Sequence, residues 1–168
     1  MSVRFLGLEL AKWDQEKGGD LVLSFFKDER PLRGAAGLAD WRLCGKLSHL
    51  LRGRRLDGDE SEALLLPPGR RLPFDRVMVF GLGERRGYGV AEYRRDAAKI
   101  AEVLSKAKSK RYAIQPPGRA MGLVAARKAL QIWIEVAAPD PKKTAISIID
   151  TPHAQKEMAE ILSGQALG

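Results

Sequence analysis

Two glycine-containing loops, each directly after an apolar run, are the places where this chain could hold an anionic ligand. Glycine lets a backbone approach a ligand closely, and the N–H groups that open a helix attract phosphate. Ligands of open α/β sheets bind beyond the carboxyl ends of the strands, where both loops are expected. The competing interpretation is that the glycines only permit tight turns. The residues concerned are Gly81, Gly83 and Arg85 in one loop and Arg30, Arg33, Gly34 and Gly37 in the other.

A set of arginines could instead contact the phosphates of a nucleic acid. The chain has a net charge of +8, and residues 27–56 and 84–111 both carry an excess of positive charge. If these arginines share one side of the molecule, they could follow a phosphate backbone with an affinity that falls as salt rises. No recognition-helix or base-stacking motif accompanies them, so an ordinary solvated surface is the alternative. The arginines are Arg52, Arg54, Arg55, Arg85, Arg86, Arg94 and Arg95.

Residues typical of hydrolytic catalysis are not grouped in this sequence. The two histidines, His49 and His153, have no spacing that would pair them as metal ligands. Cys44 is predicted at an inward position of a helix, where a cysteine behaves as a small apolar residue. The string Asp150-Thr151-Pro152-His153 is typical of a helix start rather than of an acid–base pair. We therefore expect no catalytic residue, no metal and no cofactor.

The elements that must position these residues follow from the spacing of apolar side chains. Strands are predicted over residues 3–10, 21–26, 63–66, 77–80, 112–114 and 145–149. Helices are predicted over residues 38–52, 90–109, 119–137 and 153–162. The helix over 119–137 is expected to be the most buried, because few polar residues interrupt its apolar surface. Those polar residues are Arg127, Lys128, Gln131 and Glu135.

Alternating strands and helices predict an α/β fold, with one domain over residues 1–168 and a mixed, mostly parallel sheet sandwiched by helices. Hairpin-like junctions at Gly18-Gly19 and Pro67-Pro68-Gly69 are expected to supply the antiparallel pairs. A chain of 168 residues with 45% hydrophobic residues can bury one core. The single cysteine excludes an internal disulfide, and no stretch is long and apolar enough to cross a membrane. We therefore expect a cytoplasmic protein with no membrane partner.

Several strings resemble the amino-terminal domain of the leucyl aminopeptidase family. The strings "LCGKLSHLLRGRRLDGDESEALLLPP", residues 43–68, and "DRVMVFGLGER", residues 75–85, are similar to a helix, a glycine-containing stretch and a strand of that domain. The predicted helix over 90–109, the helix end Gln131-Ile132-Trp133 and the strand string "KKTAISIID" fall where the family has its last elements. The resemblance covers essentially the whole chain and implies a macro-domain-like fold.

The resemblance carries expectations about activity as well. The family keeps its chemistry in a carboxy-terminal domain with a two-metal site and an "NTDAEGR" motif, and this sequence contains no similar string. This argues against peptidase activity, whether the chain is a natural stand-alone copy or a fragment. Macro domains bind ADP-ribose with loops at the positions of the two glycine loops, and a deep cleft between them would favour nucleotide or ADP-ribose binding here. The chain, however, contains no asparagine and no "GGG" string.

The leading expectation is a non-catalytic module that binds a protein partner or a second copy of itself. In the family, this domain helps to build the oligomer around the catalytic core. Trp41 and Trp133 are interpreted as core or interface residues, and an exposed apolar patch around Trp133 would support the expectation. Sequence-independent nucleic-acid binding through the basic surface is the second hypothesis.

Overall fold

The described residues fold into a six-stranded sheet between two layers of helices. The structure, a computed structural model, describes residues 2–137 and 143–166. The strands are β1 (Ser2–Leu6), β2 (Asp20–Phe25), β3 (Ala63–Leu66), β4 (Arg76–Gly81), β5 (Arg111–Ile114) and β6 (Ala145–Ile149). The helices are α1 (Leu10–Trp13), α2 (Gly34–Arg42), α3 (Lys46–Arg52), α4 (Val90–Lys106), α5 (Ala126–Ala137) and α6 (Pro152–Ala166).

The sheet is mixed and mostly parallel, as the sequence predicts. The strand order is β1-β6-β5-β2-β4-β3. Among the described strands, only β3 runs antiparallel to its neighbour, pairing Ala63 with Phe80 and Leu66 with Val77. The Pro67-Pro68-Gly69 junction is therefore the expected hairpin. The central strands β2 and β4 are buried along almost their whole length because helices cover both faces of the sheet.

The hairpin expected at Gly18-Gly19 is wrong. Strands β1 and β2 are separated in the sheet by β6 and β5, and both pair in parallel with their neighbours. The chain makes this crossover through the short helix α1, which the spacing of apolar residues does not predict. Trp13 at the end of α1 is fully buried, and its indole N–H donates to the carbonyl oxygen of Gly7 at 2.8 Å. The burial of this one indole ties the connection to the sheet.

Two hydrophobic cores lie on opposite faces of the sheet. One core combines Met78 and Phe80 of β4 with α4, α5 and α6, and the other combines Val77 and Val79 with α1, α2 and α3. Successive side chains of a strand point to opposite faces, so β4 contributes alternately to both cores. Residues of α4 and residues of α3 therefore belong to opposite sides of the molecule.

The helix predicted over 38–52 is two helices, α2 and α3, with a break between them. Cys44 and Gly45 have left-handed backbone conformations, with φ of 56° and 78°. The buried carboxylate of Asp40 accepts the N–H groups of Leu47 at 2.8 Å and Ser48 at 3.2 Å, which caps the start of α3. Cys44 is exposed at the turn, so its expected burial inside a helix is wrong.

The helix predicted over 119–137 is a single 3-10 turn over Arg119–Met121 followed by α5. Gly122, with φ of 67°, separates the two. Helix α5 packs between α4 and α6, and its polar residues Arg127, Lys128, Gln131 and Glu135 face solvent. Trp133 is fully buried and donates its indole N–H to the Tyr112 hydroxyl at 3.0 Å. Among the described residues, no helix is long and apolar enough to span a membrane.

Replacing the two tryptophans separately by alanine should give very different losses of stability. Trp133→Ala removes a fully buried side chain and should cost about 3–5 kcal/mol of unfolding free energy. Trp41→Ala removes a side chain that is 79% exposed and should change it by no more than about 0.5 kcal/mol. Urea unfolding followed by circular dichroism measures both. Similar losses for the two variants would contradict the placement of Trp41 outside the core.

Candidate functional site

The glycine turn after β4 uses its backbone N–H groups within the protein. Gly81 donates to the carbonyl oxygen of Glu62 at 3.0 Å, Leu82 to that of Phe25 at 3.0 Å, and Gly83 to that of Gly58 at 2.8 Å. A phosphate cradle needs such groups to point at the ligand. In this conformation the three groups connect β4 to β2 and to the preceding loop instead.

Gly81 is required by a close approach of backbone to backbone. A Cβ atom on this residue would lie 2.0 Å from the carbonyl oxygen of Asp59 and 2.6 Å from the carbonyl carbon of Gly58. The loop over residues 57–62 therefore passes directly across the end of β4. The same loop is held by Lys27, whose ammonium lies 2.8 Å from the Asp59 carboxylate.

The start of α2 is likewise occupied by the protein's own acceptor. The side-chain oxygen of Gln115 accepts the N–H of Ala35 at 2.8 Å, and a Cβ on Gly34 would lie 2.2 Å from that oxygen. Gln115 is buried and follows β5, the neighbour of β2. It stands where an anion bound at the first turn of the helix would be expected.

The loop between β2 and α2 is organised by the buried carboxylate of Glu29. This carboxylate accepts the N–H of Arg33 at 2.9 Å and that of Phe26 at 3.4 Å. Burial raises the pKa of Glu29, while the two hydrogen bonds oppose that shift. Arg30 donates to the carbonyl oxygens of Glu29 and Asp57, which joins this loop to the loop over 57–62.

The two glycine loops lie side by side, and the space between them is nearly filled. The hollow bounded by Phe26, Glu29, Leu82 and Gln115 has a volume of about 10 Å³, which is the space of one water molecule. Arg85 is paired with Asp28 at 3.0 Å. In residues 2–137 and 143–166, the deep cleft that would favour nucleotide binding is thus not formed between these loops. The candidate ligand residues remain a prediction that this geometry does not support.

The seven arginines proposed for nucleic-acid binding lie on different sides of the protein. Arg52, Arg54 and Arg55 follow α3, whereas Arg94 and Arg95 lie on α4, which covers the opposite face of the sheet. The two on α4 are neutralised by acids. Arg94 lies 3.0 Å from the Glu135 carboxylate, and Arg95 lies 3.2 Å from both Glu60 and Asp96. This arrangement does not support a single continuous phosphate track over all seven arginines.

The strand-end string Asp150-Thr151-Pro152-His153 is a helix start, as predicted. The Thr151 hydroxyl accepts the N–H of Ala154 at 3.3 Å. The buried Asp150 carboxylate binds the guanidinium of Arg119 at 2.8 and 3.2 Å rather than His153. These groups hold α6 and the 3-10 turn in place.

Three acidic side chains of the loop over 57–62 lie close together, although the sequence indicates only a charged turn there. Carboxylate oxygens of Asp57, Asp59 and Glu62 lie within 4.8 Å of one another. Glu62 accepts the backbone N–H groups of Asp57 and Gly58 at 2.9 Å, and Lys27 neutralises Asp59. These contacts give the trio a structural role in fixing the loop across β4.

A larger hollow lies elsewhere, on the outside of the helical layer formed by α2 and α3. This Trp41 hollow has a volume of about 650 Å³ and is lined by Pro31, Leu32, Gly37, Asp40, Trp41, Arg42, Cys44, Gly45 and Ser48. Trp41 is 79% exposed at its rim. The sequence does carry a signal for this exposure, because the apolar residues that α2 buries are Ala35, Ala36 and Ala39, which leaves position 41 on the opposite side of the helix.

Comparison with known proteins agrees with this architecture. Residues 22–138 match the model of the cytosol aminopeptidase family, N-terminal domain. The chain belongs to this family. A probable cytosol aminopeptidase of Cyanothece sp. is 31% identical over 100 residues, which are 59% of this chain and 20% of that protein. The chain therefore corresponds to about a fifth of the length of this curated relative.

Solved structures of a leucine aminopeptidase and of macrodomains contain the same fold. A tomato leucine aminopeptidase variant matches 95% of this chain and 35% of its own, with a TM-score of 0.59 and 14% identity. The macrodomain of Mycobacterium tuberculosis DarG matches 89% of this chain and 97% of its own, with a TM-score of 0.66 and 12% identity. The macro-domain-like fold expected from the sequence is confirmed.

Gly81→Ala should destabilise the domain far more than Gly87→Ala. The first substitution drives a methyl group into the backbone of the loop over 57–62 and should cost about 3 kcal/mol. Gly87 has φ of 74° but open space around its Cα. Gly87→Ala should therefore lower the unfolding free energy only through backbone strain, by about 1 kcal/mol. Urea unfolding of the two variants gives the comparison. Equal losses would mean that the loop is not held against β4.

The buried pair of Asp96 and Tyr88 should make stability depend on pH. Asp96 accepts the Tyr88 hydroxyl at 2.8 Å, and burial raises the pKa of Asp96 against the opposing effect of Arg95. An acid with a raised pKa in the folded state favours folding when protonated, and this contribution is lost as pH rises through the raised pKa. We expect the unfolding free energy of the wild type, relative to that of Asp96→Asn, to be higher at pH 4 than at pH 7. A difference that is constant with pH, or that grows toward pH 7, would contradict the assignment.

Proposed function

We propose that this chain is a non-catalytic interaction module of the cytosol aminopeptidase N-terminal type, which binds a protein through the Trp41 hollow. The observation that carries the proposal is the exposed indole of Trp41 beside a concavity of about 650 Å³. Tryptophan is strongly enriched among the residues that dominate binding energy at protein interfaces. Concavities of several hundred Å³ are typical of binding sites.

The location of the surface differs from the one expected from the sequence. An exposed apolar patch around Trp133 was expected to support an interaction surface there. Trp133 lies on α5, however, and is fully buried in the core that α5 forms with the sheet. The interaction surface is therefore assigned to the other helical layer, where Trp41 cannot contribute to either core. The filled space between the two glycine loops favours this outer surface over the strand ends as the functional region.

Nucleic-acid binding is the second candidate, on a smaller surface than the sequence predicts. Arg52, Arg54 and Arg55 are exposed and form no salt bridge with the acids in the described ranges. Three guanidinium groups at the end of one helix could contact phosphates without sequence preference.

We place the protein in the cytoplasm, in keeping with the name of its relatives and its single free thiol.

Photo-crosslinking in the native host tests the proposal even though the partner is unidentified. Benzoylphenylalanine is introduced at Lys46, an exposed residue next to the hollow, and separately at His153 on α6 as the control position. We expect a discrete covalent protein adduct from position 46 and none from position 153. Adding Trp41→Ala should abolish the adduct, because the anchor of the interface is then missing.

Three results would contradict the proposal. They are the absence of an adduct at position 46, an adduct that persists unchanged with Trp41→Ala, and the same adduct from both positions. An adduct that is degraded by nuclease rather than by protease would favour the nucleic-acid alternative. Gel mobility and peptide mass spectrometry distinguish these results.

A further inference from the structure

We propose that the Trp41 hollow recognises an acidic protein segment that carries an apolar side chain, an inference that rests on the proposed function. The two parts of this description come from different parts of the surface. The floor of the hollow selects an apolar group, and its rim selects negative charge.

The acidic side chain in the floor of the hollow is already hydrogen-bonded within the protein. The Asp40 carboxylate is the acidic group of the lining, and it is buried. One of its oxygens accepts the N–H groups of Leu47 and Ser48, and the other accepts the Ser48 hydroxyl. Because these groups are already satisfied, a polar ligand group placed here would lose its hydrogen bonds to water without replacement. The exposed faces of Pro31, Leu32 and Trp41 suit an apolar side chain.

The rim is positively charged. Arg33 follows the lining residue Leu32, Lys46 follows Gly45, and all three of Arg33, Lys46 and Arg71 are exposed. Arg71 donates to the Cys44 sulfur at 2.7 Å, which places its guanidinium at the edge of the hollow. In the described part of the chain, none of the three forms a salt bridge. Arg33 lies near Glu29, but that carboxylate is buried and already accepts two backbone N–H groups.

The exposed acid beside the rim, Asp14, is already paired with an arginine. Arg42 lines the hollow and holds both carboxylate oxygens of Asp14, at 2.6 and 3.1 Å. The exposed charge of the rim is therefore mainly positive, and the acids near it, Glu29 and Asp40, are buried. Charge complementarity of this kind steers an anionic partner to the surface and suppresses cationic ones.

The same charges disfavour a second copy of this chain as the occupant. Each copy carries a net charge of +8, so association through two basic rims would be repulsive. The acidic loop over 57–62 of a second copy is also a poor partner for the basic rim, because Asp59 is paired with Lys27 and Glu60 with Arg95. A nucleic acid would satisfy the rim, but it has no apolar side chain for the floor. An acidic segment with an aromatic or aliphatic residue satisfies both.

The test uses the purified protein and a short fluorescein-labelled peptide in which a phenylalanine-leucine pair is flanked by glutamates. We expect binding in fluorescence anisotropy that weakens as salt is added. Trp41→Ala should weaken it at least about tenfold, a loss of about 1.4 kcal/mol. The combined variant Arg33→Ser, Lys46→Ser, Arg71→Ser should weaken it to a similar extent. The matched control Arg52→Ser, Arg54→Ser, Arg55→Ser removes the same charge elsewhere and should leave binding unchanged.

Cys44 gives the position of the peptide on the protein. It is the single cysteine of the chain and lines the hollow, so bound peptide should slow its reaction with a maleimide in the wild type. A peptide with serines in place of phenylalanine and leucine, and one with lysines in place of the glutamates, should neither bind tightly nor protect Cys44.

Several outcomes would overturn the inference. These are equal binding of the serine or lysine peptides, an equal loss of binding in the Arg52, Arg54, Arg55 control, and protection of Cys44 by oligothymidine but not by the acidic peptide. If crosslinking at position 46 gives a protein adduct while the acidic peptide does not bind, this inference fails and the proposed function stands. If both are negative, both fail.

Discussion

The missing side chain at Gly81 is the constraint on which the packing of the strand ends depends. Only a residue without Cβ allows the carbonyl group of Asp59 to cross the end of β4. Once the loop over 57–62 lies there, its backbone accepts the N–H groups of Gly81 and Gly83, and Arg30 joins it to the loop before α2. The carboxyl ends of the central strands, where an open α/β sheet would bind a ligand, are thereby packed with protein.

The second consequential feature is the break between α2 and α3. Asp40 turns its carboxylate toward the start of α3 and caps it, so the chain reverses at Cys44 and Gly45 instead of continuing as one helix. This reversal leaves the Trp41 side of α2 without a covering layer. Burying the Trp41 ring would require another element, whereas the described residues leave it 79% exposed. The loop at Gly81 fills the strand ends, and the break between α2 and α3 leaves the outer helical layer exposed. Both features therefore favour the outer layer as the binding surface.

The strands could be predicted from the sequence because each is a short alternating or continuous apolar run, but the strand predicted over 3–10 ends at Leu6, and Leu10 begins α1. The hairpin at Pro67-Pro68-Gly69 and the start of α6 at Thr151-Pro152 followed from local chemistry as well. Helix α1 could not be predicted because its four residues show no periodicity, and its stability comes from the burial of Trp13. The exposure of Cys44 was missed because its left-handed conformation depends on the Asp40 cap. The occupation of the α2 start could not be predicted, because Gln115, which accepts the N–H of Ala35, lies 80 residues after it in the chain.

The Trp41 hollow is formed by one continuous segment, since all of its lining residues fall between positions 31 and 48. Most binding sites in α/β folds combine loops that are distant in sequence. Here one segment both packs on the sheet, through Ala35, Ala36, Ala39 and Leu47, and lines the hollow. Asp40 is constrained in both respects because it lines the hollow and caps α3, whereas the exposed Trp41 belongs to neither core. Exchange of this segment between related domains would therefore transfer the apolar floor together with Arg33 and Lys46 of the rim, while Arg71 would have to be exchanged separately.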